Sequence, residues 1–481
     1  MRLDLVSIAR TAMSDYGLIA DFDAAVRNEL THLPQRSPID GVKLDLRHLP
    51  WSSIDNRESR DLDQIECVED LGNHRVRVRV GIADVDVLVH KLSAVDKHAF
   101  ANTTSVYTGA VTFPMLPEIL STGLTSLNED QDRLALVISF TVDAEGETSD
   151  PAVERAIVKN QARLSYVDVA NWLDGNGPAP ERVAHSSEQA RQLKLQDEVA
   201  QRLRKLRHAR GALELETIEA RPVAKDGQIV DLELTKKNRA RELIEDFMIA
   251  ANTTMARFLE ARGVPALRRV VKQPERWQRI AELASTHGVT LPAEPSARAL
   301  AAFLATERTK DPIRFPDLSL SVVKLMGGGE YAVELPGKDH DGHFGLAVQD
   351  YTHSTAPNRR FADLVTQRLM KACERGEKAP YSIDELAQIA QRCTEKASEA
   401  QRVERRMRKV AAALFLADRV GQTFDGLVTG VNENGTFVRV LAPPAEGRVI
   451  HGERGMDVGD KVKVKLIATN PQKGFIDFAR A

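Results

Sequence analysis

Three aspartates crowd one short stretch, Ile54-Asp55-Asn56-Arg57-Glu58-Ser59-Arg60-Asp61-Leu62-Asp63-Gln64. In an extended backbone, residues two apart project from one face, so Asp61 and Asp63 point the same way. Asp55 lies upstream across a loop that can fold back beside them. Carboxylates packed this closely repel unless cations sit between them. Hard divalent ions such as Mg²⁺ take oxygen ligands of this kind and keep waters or bind substrate phosphate besides. Asp55, Asp61 and Asp63 are therefore candidate metal ligands. The competing reading is a solvated acidic loop. Against it, a strand with a strongly apolar face follows at once and places the loop at a sheet edge.

A basic counterpart occurs far downstream, in Tyr351-Thr352-His353-Ser354-Thr355-Ala356-Pro357-Asn358-Arg359-Arg360-Phe361-Ala362-Asp363. Pro357 suits the position before a helix start, which puts Arg359 and Arg360 in the first turn. The helix dipole is positive there and disfavours cations, so the placement points to an anionic ligand. Two guanidiniums at a helix N-terminus bind phosphate well, by bidentate hydrogen bonds. The alternative is that Arg360 pairs with Asp363 three residues on. Carboxylates for Mg²⁺ and arginines for phosphate together are the parts of metal-assisted phosphodiester hydrolysis.

The elements that must position these groups follow from patterning. The chain has 481 residues, enough for roughly three domains of about 150 residues. Residues 1–38 are polar and helical in pattern, with a helix over Asp23–His32, and suit a small helical or winged-helix-like module packed against the next domain. From Ile39, Val76, Val78, Val80 and Ile82 alternate with arginines, and Leu134, Leu136, Ile138, Phe140 and Val142 repeat the period of two, predicting two strands of one sheet. Helices dominate after Ser187. Ile244, Phe247, Met248, Ala251, Met255, Phe258 and Leu259 form an apolar stripe, and Ser382 to Glu385 reads as the capping box of a long helix. Residues 39–420 are thus an α+β domain. Beyond Gly421 five short strands, with a hairpin turn at Asn434-Gly435, suit a small closed barrel over 421–481.

Composition narrows the setting. Three cysteines (Cys67, Cys373, Cys393) make no disulfide framework and lack zinc-ligand spacing, so a reducing cytoplasm is expected. No run approaches the roughly 18 apolar residues of a membrane span. The formal net charge of −3 gives no overall bias toward polyanions. The positive charge is local instead, in Arg402, Arg405, Arg406, Arg408 and Lys409 and in the Lys461, Lys463, Lys465 alternation.

With these residues in place the chain resembles the RNB, or ribonuclease II/ribonuclease R, family of 3′→5′ exoribonucleases over about 39–420. The resemblance runs through the acidic segment, Gly81-Ile82-Ala83-Asp84-Val85, Ser105-Val106-Tyr107, Pro114-Met115-Leu116-Pro117, Arg210-Gly211-Ala212-Leu213, Leu243-Ile244-Glu245-Asp246-Phe247-Met248, His343-Phe344-Gly345-Leu346 and Arg359-Arg360. It implies that Asp55, Asp61 and Asp63 hold catalytic magnesium and the attacking water, with Asp63 closest to cleavage, and that Arg359, with Arg360 beside it, grips the scissile phosphate. It also implies that Tyr107 packs on the terminal nucleotides and sets the final product length, and that Glu404 contacts the RNA 3′ end. The tail resembles an S-one type OB-fold barrel, in which Phe437 is either a stacking face for a base or barrel core, and Lys463 lies on a basic strand face.

Three departures stand out. Gln64 stands where the family usually has a fourth aspartate; its carbonyl can still ligate Mg²⁺ but brings no charge, which implies lower metal affinity or one weaker site. Ala356 and Asn358 replace the usual Ser and Ile. About 38 residues stand where tandem cold-shock barrels are common. The expected activity is Mg²⁺-dependent, processive degradation of single-stranded RNA from its 3′ end to nucleoside 5′-monophosphates, by a cytoplasmic monomer without membrane or protein partner. The alternatives are a catalytically weakened RNA-binding protein and a scaffold subunit of a larger decay complex.

Overall fold

Strand alternation builds the centre of the molecule. In the computed structural model, which describes residues 4–216, 220–225, 228–234, 237–433 and 435–481, a six-stranded sheet carries the acidic segment. Its strands are β1 (Ser52–Asp55), β2 (Gln64–Asp70), β3 (Val76–Ala83), β6 (Asp132–Val142), β7 (Thr148–Lys159) and β8 (Ala162–Ser165), in the order β7-β6-β3-β2-β1-β8. A two-residue pair, β4 (Val106–Tyr107) and β5 (Thr112–Phe113), stands apart from it. Neighbours in the sheet are antiparallel except β1 and β8, which are parallel. The two strands expected from alternation are adjacent, with Val80 opposite Ile138. Val76, Val78, Val80 and Ile82 are buried while Arg77 and Arg79 are half-buried. Each buried valine contributes about 1.5–3 kcal/mol.

Helices cover this sheet. After α1 (Leu5–Asp15), α2 (Ala24–Leu30) and α3 (Ala94–Asn102) come α4 (Tyr166–Leu173), α5 (Glu181–Ala184), α6 (Ser187–Arg210) and α7 (Arg239–Ala261). The apolar stripe foreseen around Ile244–Leu259 is the buried face of α7. Further on are α8 (Trp277–Thr286), α9 (Ala297–Lys310) and α10 (Phe315–Met326), which share a small core of their own. Next are α11 (Phe361–Glu374) and α12 (Ile383–Leu416), whose Ser382/Glu385 capping box is formed as expected. Helices dominate after Ser187, as expected. Two short sheets interrupt them, β9 (Ala220–Lys225) with β10 (Gln228–Leu234) and β11 (Ala266–Val270) with β12 (Glu330–Glu334).

The N-terminal segment packs against the rest of the chain and is helical rather than winged-helix-like: residues 4–38 contain two helices and no strand. The reason lies in α1, whose Leu5, Ala9, Ala12 and Met13 make an apolar stripe that buries against Val403, Met407 and Val410 of α12. The expected Asp23–His32 helix is α2, with Asp23 as its N-cap. Its Val26 joins the main core.

The tail closes into a barrel of β13 (Thr423–Asn432), β14 (Gly435–Leu441), β15 (Pro444–His451), β16 (Lys461–Asn470) and β17 (Phe475–Arg480), in the order β13-β14-β15-β17-β16. Asn432 pairs with Gly435 across the expected turn; Asn434 itself lies outside the described residues. Val428, Val438, Val440, Val464, Leu466 and Phe478 fill the barrel, and Ala412, Ala413 and Leu416 at the end of α12 join that core. The long helix therefore ties the barrel to the α+β domain.

Candidate active site

The stretch from Asp61 to Asp63 enters β2 in extended form, tied down on both sides of the backbone. Leu62 N–H donates to Ser126 Oγ, Leu62 O accepts from Leu127 N–H, and Asp63 O accepts from Ala83 N–H. Leu62 is buried between the two carboxylates, as alternation requires. Asp55 ends β1, and its Oδ1 accepts from Asn56 N–H (2.7 Å) and Ser59 Oγ (2.9 Å).

The downstream arginine segment is a turn clamped onto this edge. Asn358 N–H donates to Asp63 Oδ1 at 2.9 Å, and Arg359 Nε donates to Asp63 Oδ2 at 3.0 Å. Ser105 N–H and Thr104 Oγ1 donate to Arg359 O, and Phe361 N–H donates to Thr103 O. The strand that carries Tyr107 therefore also fixes the arginine turn.

Charge explains the clamp. Burial pushes the Asp63 carboxyl up to about 7; Arg359 pulls against this and Asp61 adds to it. Burial also raises Asp55 above the ordinary carboxylate range, with Arg359 opposing and Asp61 reinforcing. Burial alone would weaken the Arg359 cation, yet Asp63, Tyr107, Asp55 and Asp61 around it raise its pKa above the ordinary value. Arg359 remains partly exposed, so its guanidinium can meet a ligand while holding Asp63.

Tyr107 stands over this centre. Its hydroxyl donates to Asp61 Oδ2 at 3.0 Å, and its backbone N–H donates to Glu404 Oε1 on α12 at 3.0 Å. Asp61 and Tyr107 line a cleft of about 580 Å³, with Asn56, Arg60, Arg241 and Arg408 also on its walls. In the barrel, Phe437 is half-buried between the fully buried Thr436 and Val438 and is no part of the barrel core. Lys463 is exposed and lies 3.3 Å from the exposed Asp425.

Two expected site residues are placed otherwise. Helix α11 begins at Phe361, so Arg359 and Arg360 precede its first turn, and Arg360 is the N-cap with extended backbone. Its Nε and Nη2 donate to Asp363 at 3.0 and 2.8 Å, so the i+3 pairing holds Arg360. Asp363 is fully buried and also accepts from Ala356 N–H at 2.7 Å, which makes the pair a brace of the turn. Gln64 is the first residue of β2, opposite Ile82, and the pleat turns it to the face opposite Asp63.

The same geometry brings in residues that spacing did not single out. Asn358 holds Asp63 through its backbone. Arg241, at the start of α7, reaches Asn56. Glu66 shares a strand face with Gln64 and is fully buried, and neither of its carboxylate oxygens meets a donor among the described residues. Burial, with the charge of Asp55, drives it well above the ordinary range. The signal for Glu66 was present as an acid on the buried face of a strand. Asp84 also acts structurally, accepting from the buried Lys371 at 2.8 Å and from Arg155 at 2.9 Å.

Among the described residues, the one trio of acids or histidines with ligand atoms within 4.8 Å of one another is Glu260, Glu334 and His340. The buried Arg268 guanidinium already occupies it, donating to Glu334 Oε1 at 2.6 Å. Asp55, Asp61 and Asp63 are spread more widely, around the cation of Arg359.

Residues 43–376 match the RNB domain model, and residues 422–481 match the RNase II-type exonuclease C-terminal S1 domain. The chain belongs to the RNB family. Asp55, Asp61, Asp63, Tyr107, Arg241 and Arg359 fall inside the RNB match, whereas Glu404 lies in the helix between the two matched segments. Ribonuclease R 1 of Lactococcus lactis subsp. lactis is 29% identical over 97% of this chain and 60% of its own length. Ribonuclease R of Escherichia coli is 31% identical over 95% of this chain and 60% of its own length. The chain thus spans about 60% of the length of these curated relatives. The solved RNase R of Mycoplasma genitalium in complex with ribose methylated single-stranded RNA is 22% identical, with a TM-score of 0.88 over 99% of this chain and 78% of that one. This likeness shows the shared RNB fold with its barrel. Among the described residues, no helix is long and apolar enough to cross a membrane.

Proposed function

We propose that the chain is a Mg²⁺-dependent hydrolytic exoribonuclease that shortens single-stranded RNA from its 3′ end to nucleoside 5′-monophosphates. The observation that carries this reading is the Asp63–Arg359 contact at 3.0 Å, with Asp61 near enough to act on both charges and Asp55 on that of Arg359. Family membership and the names of the relatives support it.

A divalent cation fits the donor set. The oxygens are hard, Asp55 and Asp63 are pushed up by burial, and Glu66 nearby has no donor. Asp55, Asp61 and Asp63 would hold the ion, which when bound polarises a water and the scissile phosphate. The chain supplies the rest. Arg359 presents a guanidinium to the phosphate and offsets charge that develops in the transition state. Asn358 N–H and Arg359 keep Asp63 aimed. Tyr107, fixed by Glu404, offers a ring against the terminal nucleotide at the cleft. Phe437 and Lys463 on the barrel supply a stacking face and a cation for the upstream strand. Backbone contacts and stacking read no particular sequence.

A 5′-labelled single strand incubated with Mg²⁺ tests this. Stepwise shortening of the labelled strand, with mononucleotide 5′-phosphates released, is the expected outcome. Gln64, which adds no charge beside Asp63, favours the second reading of an RNA-binding protein that does not cut. Tight binding with no product would establish that reading instead.

A further inference from the structure

Near the site, Arg359 pairs with Asp63, Arg360 with Asp363 and Arg57 with Asp168. Arg241 differs. Its Nη2 donates to the neutral Asn56 Oδ1 at 2.6 Å, its guanidinium stacks over the Tyr166 ring at 4.4 Å, and no carboxylate among the described residues lies within ion-pair distance. The amide and the ring orient the cation without cancelling its charge. Arg241 also lies in the first turn of α7, where the helix dipole disfavours a positive group. It faces the cleft that Asp61 and Tyr107 line, and its anchor Asn56 directly follows Asp55.

We propose that Arg241 binds an RNA backbone phosphate, the one next to the scissile phosphate, and so sets the path of the strand between the cleft and the aspartates. This rests on the exoribonuclease reading above. A planar guanidinium held at its back by a ring, with one edge tied to an amide, keeps N–H groups for a phosphate oxygen. The contact is to backbone, so it reads no base.

The test is anisotropy of a labelled oligoadenylate across a salt series, with Asp63→Asn as the uncut parent and further changes made in it. Arg241→Ala is expected to weaken binding about 5- to 50-fold at low salt and to shrink the slope of log K against log salt by about 0.7, the share of one phosphate on a single strand. Arg241→Gln keeps an amide for Asn56 and is expected to lose the same slope, which guards against a misfolded alanine variant. Asn56→Ala removes the anchor and keeps the charge, so the slope stays. With otherwise wild-type enzyme and Mg²⁺, Arg241→Ala is expected to raise KM more than it lowers kcat. An unchanged slope in both Arg241 variants, with the parent binding normally, overturns the assignment alone. A parent that does not bind the strand overturns the exoribonuclease reading with it.

Discussion

Arg359 Nε lies 3.0 Å from Asp63 Oδ2, 296 positions away in the chain. The bond makes one unit of the acid edge and the arginine turn. Asp63→Asn keeps the size of the side chain and removes its charge. Product formation is expected to fall at least about 10²–10³-fold, with RNA binding nearly unchanged. Single-turnover cleavage beside a binding titration separates the two effects. Arg359→Lys retains charge without the fork and is expected to rescue little of the loss seen in Arg359→Ala.

Tyr107 carries two separable features, a hydroxyl on Asp61 and a ring in the cleft. Tyr107→Phe removes the first and is expected to cut to the same end product as wild type. Tyr107→Ala removes both and is expected to leave a different final oligonucleotide length. Sizing the limit products on a gel compares them, and identical limits for all three proteins would remove the ring from the substrate path.

Asp63 sits at about 7 in the folded chain, against about 3.9 for a free aspartate. The native state therefore binds this proton more tightly than the unfolded state, and stability falls as pH rises from about 4 to about 7. Glu66 is raised too and acts with the same sign. In EDTA, urea midpoints are expected to drop across this window, with a smaller drop in Asp63→Asn and in Glu66→Gln. Added Mg²⁺ should restore stability most at the upper end. A midpoint that climbs with pH in EDTA would contradict the assignment.

Lys371 and Arg368 on α11 hold a buried acidic group together. Lys371 meets Asp84 at 2.8 Å and Asp86 at 3.0 Å, and Arg368 meets Asp96 at 2.8 Å and Asp86 at 2.7 Å. Removing one cation strands a carboxylate away from water, so Lys371→Ala or Arg368→Ala should cost about 3–5 kcal/mol. Equilibrium unfolding measures this. A loss below about 1 kcal/mol would mean that water or another cation replaces the missing partner.

Phe437 is outside the barrel core, whereas Phe478 is inside it. Phe437→Ala is expected to weaken single-strand binding by about 1–3 kcal/mol and to change stability by less than about 0.5 kcal/mol. Phe478→Ala should do the reverse, costing about 3–5 kcal/mol of stability. Parallel melts and titrations of the two variants decide whether the Phe437 ring stacks on bases.

What could be read from the sequence was local. The alternation of Val76 to Ile82, the Ser382/Glu385 capping box, the stripe on α7 and the five barrel strands depend on neighbours within a strand or a helical turn, and each lies where patterning placed it. The i+3 option for Arg360 was legible for the same reason. Tertiary structure alone decided that Arg360 braces the turn while Arg359 faces the aspartates, and that α1 belongs to the surface of α12. It also decided that Arg241 meets Asn56 and that Glu66 is buried without a donor. Spacing reports the direction of a side chain relative to its own backbone. Which charge it meets depends on strand register and on the packing of distant segments, and those are settled only when the whole core closes.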